Sequence, residues 1–170
     1  ESPNEKSYIE YAQATKDKKN PVSYSIENGT LTLKEAGNTG ASYYINVDIS
    51  FLQAALSSKN IEDYTKESSK YENYVTLYLP KDKLVSSAKI YLGYGDFYVK
   101  NAAFDTINIK LDDGDFDANT LTANSGKLTF SYGDCDLQKA SLGNISLTSK
   151  DGDLTVNELT LSGKTKIALS

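Results

Sequence analysis

The sequence predicts an all-β fold: a single-stranded parallel β-helix of about four to five 19-residue coils, preceded by an N-terminal hairpin and strand region. Three observations carry this reading. Gly-Asp recurs at Gly95-Asp96, Gly114-Asp115, Gly133-Asp134 and Gly152-Asp153, 19 residues apart each time. Apolar residues inside each unit are spaced by two, the period of a strand and not of a helix. A unit of that length cannot bury its own apolar face, so the units must stack on one another as solenoid repeats do.

Taken in chain order, residues 1–20 read as a polar tether and a first strand, and residues 21–87 as a β-region. Within it, Val22–Glu27, Asn28-Gly29 and Thr30–Leu33 form a hairpin signal, because Asn-Gly favours the type I′ turn that matches strand twist. That turn sets Ile26 opposite Leu31 and Tyr24 opposite Leu33. Tyr43, Ile45, Val47, Ile49 and Phe51 alternate as one strand, and Val75, Leu77 and Leu79 form another that Pro80 ends. Residues 52–73 between them are polar and read as a long excursion, with a short helix expected near Leu52–Ser57.

The β-helix is placed at residues 88–170, with repeats 90–108, 109–127, 128–146 and 147–165. The opening column is Ile90, Ile109, Leu128 and Leu147, followed two residues on by Leu92, Leu111, Phe130 and Ser149. Past the Gly-Asp turn come Phe97, Phe116, Cys135 and Leu154, then Val99, Ala118, Leu137 and Val156. Two further columns are Ala102, Leu121, Ala140, Leu159 and Phe104, Ala123, Leu142, Leu161. Gly-Asp marks the corner, since glycine takes a positive φ without a Cβ penalty and a short Asp side chain can bond nearby amides. The stacked carboxylates of Asp96, Asp115, Asp134 and Asp153 also raise a calcium ladder, but calcium takes six to eight oxygens and the nine-residue glycine-rich calcium repeat is absent.

Composition narrows the chemistry. The chain has no histidine, which removes Ser-His-Asp and Cys-His nucleophile systems, and with one cysteine the usual zinc and iron sites are not expected. Cys135 falls in an inward column and reads as a small buried hydrophobe; a lone cysteine forms no intramolecular disulfide. No cofactor and no metal is expected. A net charge of −5 argues against nucleic-acid binding, and no run of apolar residues is long enough for a membrane-spanning helix.

The strand "VTLYLPKDKL" followed by "AKIYLGYGDFYVKNAAFDTINIKLDDGDFDANTL", with the "SIENGTLTLKE" hairpin before it, resembles a bacterial family of β-strand-repeat domains labelled as adhesins and long catalogued as of unknown function. The resemblance covers roughly residues 20 to 165. It implies a secreted or cell-envelope-anchored protein of low-GC Gram-positive bacteria, with relatives in Lia-type envelope-stress systems. No functional residue carries over from that family.

Two functions are weighed. The first is a non-catalytic extracellular interaction module whose outward columns form the contact face. One column is Tyr98, Asp117, Asp136 and Thr155; the other, along the corner, is Tyr94, Asp113, Tyr132 and Asp151. Residues 90–165 hold 11 acidic residues against 6 lysines, so a cationic partner is expected over an anionic one; a cationic peptide, as the family resemblance implies, an envelope polymer and a protein are the candidates. The second is a carbohydrate-active lyase or hydrolase using Asp113, Asp115 and Asp117 as acid and base. The repeats lack the insertions from which such enzymes build a cleft.

Overall fold

The computed structural model describes residues 8–12, 22–28, 30–35, 43–48, 62–65, 74–79 and 83–170. Every regular element among them is a strand. The stretch Leu52–Ser57, where a short helix is expected, and the strand end Ile49–Phe51 lie outside the described residues.

The C-terminal half is the stacked solenoid that the repeat demands. Strands β7 (Leu84–Leu92), β8 (Phe97–Leu111), β9 (Phe116–Phe130) and β10 (Cys135–Ser149) follow in order, and the last coil is divided into β11 (Leu154–Leu161) and β12 (Lys166–Leu169). From β8 onward each pairs in parallel with the coil before it. Ile90 lies on Ile109, Ile109 on Leu128 and Leu128 on Leu147, and none of the four is more than 3% exposed. Parallel pairing already starts at Leu84, opposite Ala103 and upstream of Ala88.

The long strands bend. In β9 and β10 the pairing passes over Asn119 and Gln138, and again over Asn124 and Gly143. The buried positions of β9 change parity across each of these places, running Phe116, Ala118, then Leu121, Ala123, then Leu128, Phe130. One residue spent at each bend turns the strand while keeping apolar side chains inward, because in a straight strand side chains alternate strictly. With the Gly-Asp turn, each full coil therefore has three sides.

The interior carries one more column than the apolar pattern marks: Ala88, Ile107, Gly126 and Ile145 are aligned in register. Ile107 and Ile145 are buried. Gly126 is required between them, for its φ is 140° and an added Cβ would stand 1.8 Å from the Ile107 carbonyl oxygen. In the same core, Phe97, Phe116 and Phe130 stack, with ring centroids 5.7 and 5.3 Å apart.

The N-terminal strands continue the same sheet. β2 (Val22–Glu27) and β3 (Thr30–Glu35) form the expected hairpin, with Ile26 opposite Leu31, Tyr24 opposite Leu33, and Asn28 at a φ of 50°. β4 (Tyr43–Asp48) joins β3 antiparallel and then pairs antiparallel with β7, which gives a nine-stranded sheet. Leu31, Leu33 and Val47 are buried in the solenoid core. A second sheet holds β1 (Tyr8–Ala12), β5 (Glu62–Thr65) and β6 (Tyr74–Tyr78), and Leu77 and Leu79 pack against the core from there. β5 corrects the reading of 52–73 as a plain excursion: it pairs in parallel with β1 over four residues. Its sequence, Glu-Asp-Tyr-Thr, has no apolar alternation, so backbone pairing alone makes it a strand.

Candidate functional site

The candidate face flanks the Gly-Asp corner. The corner is built by continuing the inter-coil ladder through the turn. The Gly95 amide donates to the Asp113 carbonyl at 2.9 Å, Gly114 to Tyr132 at 3.0 Å, and Phe97 and Phe116 to Asp115 and Asp134 at 2.9 Å each. Gly95, Gly114 and Gly133 take the expected positive φ. The fourth corner departs from that expectation. There Asp151 holds the left-handed conformation (φ 36°) and Gly152 does not. Gly152 is needed for a different reason, since a Cβ on it would lie 2.1 Å from the Gly133 carbonyl oxygen.

The aspartates that follow these glycines form a ladder. Asp96 Oδ1 accepts the Asp115 amide at 2.9 Å, Asp115 Oδ1 the Asp134 amide at 2.8 Å, and Asp134 Oδ1 the Asp153 amide at 2.9 Å. Each carboxylate thus ties one coil to the next, the use that the short Asp side chain suggests. Among the described residues no group of three or more His, Cys, Asp or Glu side chains is assembled as a metal set.

On one side of this ladder lie Tyr94, Asp113, Tyr132 and Asp151, all exposed, with Tyr94 64% and Tyr132 59% accessible. On the other side Tyr98 stands in register with Asp117, and Asp117 with Asp136. The structure therefore brings Tyr98, Asp117 and Asp136 together as one column and places Asp113, Tyr132 and Asp151 across the ladder from them. The column is acidic enough to affect itself. Partial desolvation, then the charges of Asp136, Asp115 and Asp96, push the Asp117 carboxyl above the ordinary aspartate range. Below it, burial first and then Asp117 and Asp136 push the Cys135 thiol up to about 12. A thiol so protonated is a poor nucleophile and packs as a hydrophobe, as its column implies.

Sequence reasoning passed over a set of amides beside this column. Asn119 Nδ2 donates to the Tyr98 hydroxyl at 2.6 Å, Gln138 Nε2 to Asp136 Oδ1 at 2.8 Å, and Asn157 Nδ2 to Gln138 Oε1. Their 19-residue recurrence was the signal available. They sit at the bends and hold the outward side chains of Tyr98 and Asp136 in place. A second unforeseen cluster lies on the outer surface: the Tyr91 hydroxyl donates to Asp112 at 2.9 Å, and Lys110 pairs with Asp112 at 2.7 Å while lying 5.0 Å from the Tyr91 ring centroid.

Chemically, this arrangement offers aromatic faces, carboxylates and amides on a rigid wall. The turns between Leu92 and Phe97, Leu111 and Phe116, and Phe130 and Cys135 have four residues each. Asp115, one of three carboxylates considered for acid and base work, has an oxygen committed to the Asp134 amide. A family model described as Toastrack DUF4097 matches residues 1–168. No curated protein and no solved structure matches the chain.

Proposed function

The chain belongs to the Toastrack family, a domain of unknown function, and from that premise we propose that it is a non-catalytic interaction module of the cell envelope or extracellular space. Its contact surface is the corner wall of Tyr98, Asp117 and Asp136 on one side and Asp113, Tyr132 and Asp151 on the other. The observation that carries this reading is the wall whose outward columns repeat exposed aromatic and acidic residues in register from coil to coil. Asn119 and Gln138 hold the Tyr98 and Asp136 side chains in place, which lowers the ordering entropy that opposes binding there.

Its sign of charge selects the partner. Residues 90–165 hold 11 acidic residues against 6 lysines, and the Asp117 carboxyl is raised by partial desolvation first and then by the neighbouring aspartates. A cationic peptide fits best. The envelope-stress setting that the sequence resemblance implies would suit such a partner, cationic peptides being among the agents that stress envelopes. Among the described residues no helix is long and apolar enough to cross a membrane.

The test is a titration with a cationic antimicrobial peptide at low and at moderate ionic strength. Wild type is compared with a combined Asp113→Asn, Asp117→Asn, Asp136→Asn variant. Exposed charges are screened beyond about 10 Å at 0.1 M salt. Binding is therefore expected to weaken with salt in the wild type and to be weaker throughout in the variant. Equal binding by both proteins, or indifference to salt, would refute the acidic wall as the contact surface.

A further inference from the structure

We propose that the C-terminal end of the solenoid is a homotypic interface, through which two copies of the chain join end to end about a two-fold axis. Among the described residues, β11 and β12 each have a strand neighbour on one side only, the preceding coil β10. Their inward columns, buried in the earlier coils, are open here. Leu159 is 41% exposed, Leu161 50%, Ile167 40% and Leu169 59%, against 2% or less for Ala140, Leu142 and Leu147 one coil earlier. Sheet edges are usually guarded by inward charges, proline or bulges, because a bare edge templates pairing with another chain. No charged side chain occupies an inward position of β11.

The edge is self-complementary. β11 bends at Asn157, where its pairing with β10 skips a residue. A two-fold axis along that bend pairs β11 antiparallel with its copy and keeps both inward faces over one shared core. Leu154 then meets Leu161 of the second copy, and Val156 meets Leu159. The flanking charges agree with this reversal: Asp151 precedes the Leu154 end and Lys164 follows the Leu161 end, so opposite charges meet at both margins. Residues 150–170 carry three lysines and three acidic residues, while residues 90–149 carry eight acidic residues against four lysines. The open end is thus the neutral part of an acidic solenoid, and does not repel its own copy.

The β7 end of the solenoid is built differently. There the sheet is continued antiparallel by β4, β3 and β2, and Leu77 and Leu79 pack onto the core. An isologous contact uses the same patch twice, so pairing through this end gives a closed dimer. The dimer needs no ligand on the acidic wall, and the two surfaces share Asp151.

Light scattering during size-exclusion chromatography, over a dilution series of this chain, measures the state directly. Wild type is expected to be a dimer, and Leu161→Lys a monomer with unchanged strand content, because Leu161 is already half exposed. Lys164→Asp, at an exposed position, is expected to weaken the dimer, and adding Asp151→Lys to it to restore the dimer by exchanging the charges. A monomeric wild type would assign this end to another partner or to further chain, and so overturn the proposal. So would a dimer that survives Leu161→Lys, failure of the charge exchange to restore it, or growth into long polymers.

Discussion

Ser149 occupies the position that Leu92, Leu111 and Phe130 hold in the coils before it, and its hydroxyl, 1% exposed, has no hydrogen-bond partner. An unpaired buried hydroxyl costs about 1–3 kcal/mol. Ser149→Ala removes that cost at nearly constant volume, and is expected to raise the melting temperature by about 2–4 °C per kcal/mol recovered. Calorimetry at neutral pH checks it; a lower melting temperature would mean the hydroxyl is satisfied in solution. Asp117 gives a pH signature. Its folded-state carboxyl lies above the ordinary range, so ionisation is costlier folded than unfolded, and the penalty is present at neutral pH. As pH falls through the raised value the fold takes up the proton first and the penalty disappears. Asp117→Asn should therefore melt higher than wild type at pH 7, with the gap closing below about pH 4, the unfolded value. A gap independent of pH would contradict this assignment.

At the scale of the element, the corner shows what one repeated side chain does. Asp115 both donates its amide to Asp96 and accepts the amide of Asp134 through its carboxylate. Asp115→Asn keeps a carbonyl acceptor, whereas Asp115→Ala deletes it. The Ala variant is expected to be less stable by about 1 kcal/mol, a typical net hydrogen bond, and the Asn variant to stay near wild type. Calcium or EDTA should change neither melting curve, whereas a metal ladder would lose its calcium response in both variants. Denaturant titration with and without calcium separates the two. The strands themselves were legible because Gly-Asp and the apolar columns recur in phase. What was not legible follows from local chemistry. The column through Ala88, Ile107, Gly126 and Ile145 is interrupted in sequence by a residue without a side chain. The strand Glu62–Thr65 is made by pairing with β1 and carries no apolar period. The amides at Asn119, Gln138 and Asn157 recur faithfully, but their partners are visible only once the bends are placed.

For the whole molecule, the parallel solenoid and its antiparallel N-terminal extension share one core, yet most inter-strand pairings in the solenoid join only neighbouring coils. The parts of the candidate site follow the same pattern. The repeat fixed which residues share a column, so Tyr98, Asp117 and Asp136 could be grouped from sequence. Their common electrostatics needed the geometry that sets Asp96, Asp115 and Asp136 near Asp117. The bends passed over by the pairing at Asn119 and Asn124 have a further consequence, for how such a chain can gain or lose length. Excising residues 109–127 joins Asn108 to Leu128, returns every later residue to its own column, and lets Asp96 accept the Asp134 amide. Excising one residue fewer, 109–126, puts Lys127 into the interior and turns Leu128 and Phe130 outward, since a one-residue slip inverts a strand's faces. The first protein is expected to unfold cooperatively with native-like circular dichroism, and the second to lose its melting transition. Duplication or loss of whole coils is therefore the length change this architecture tolerates.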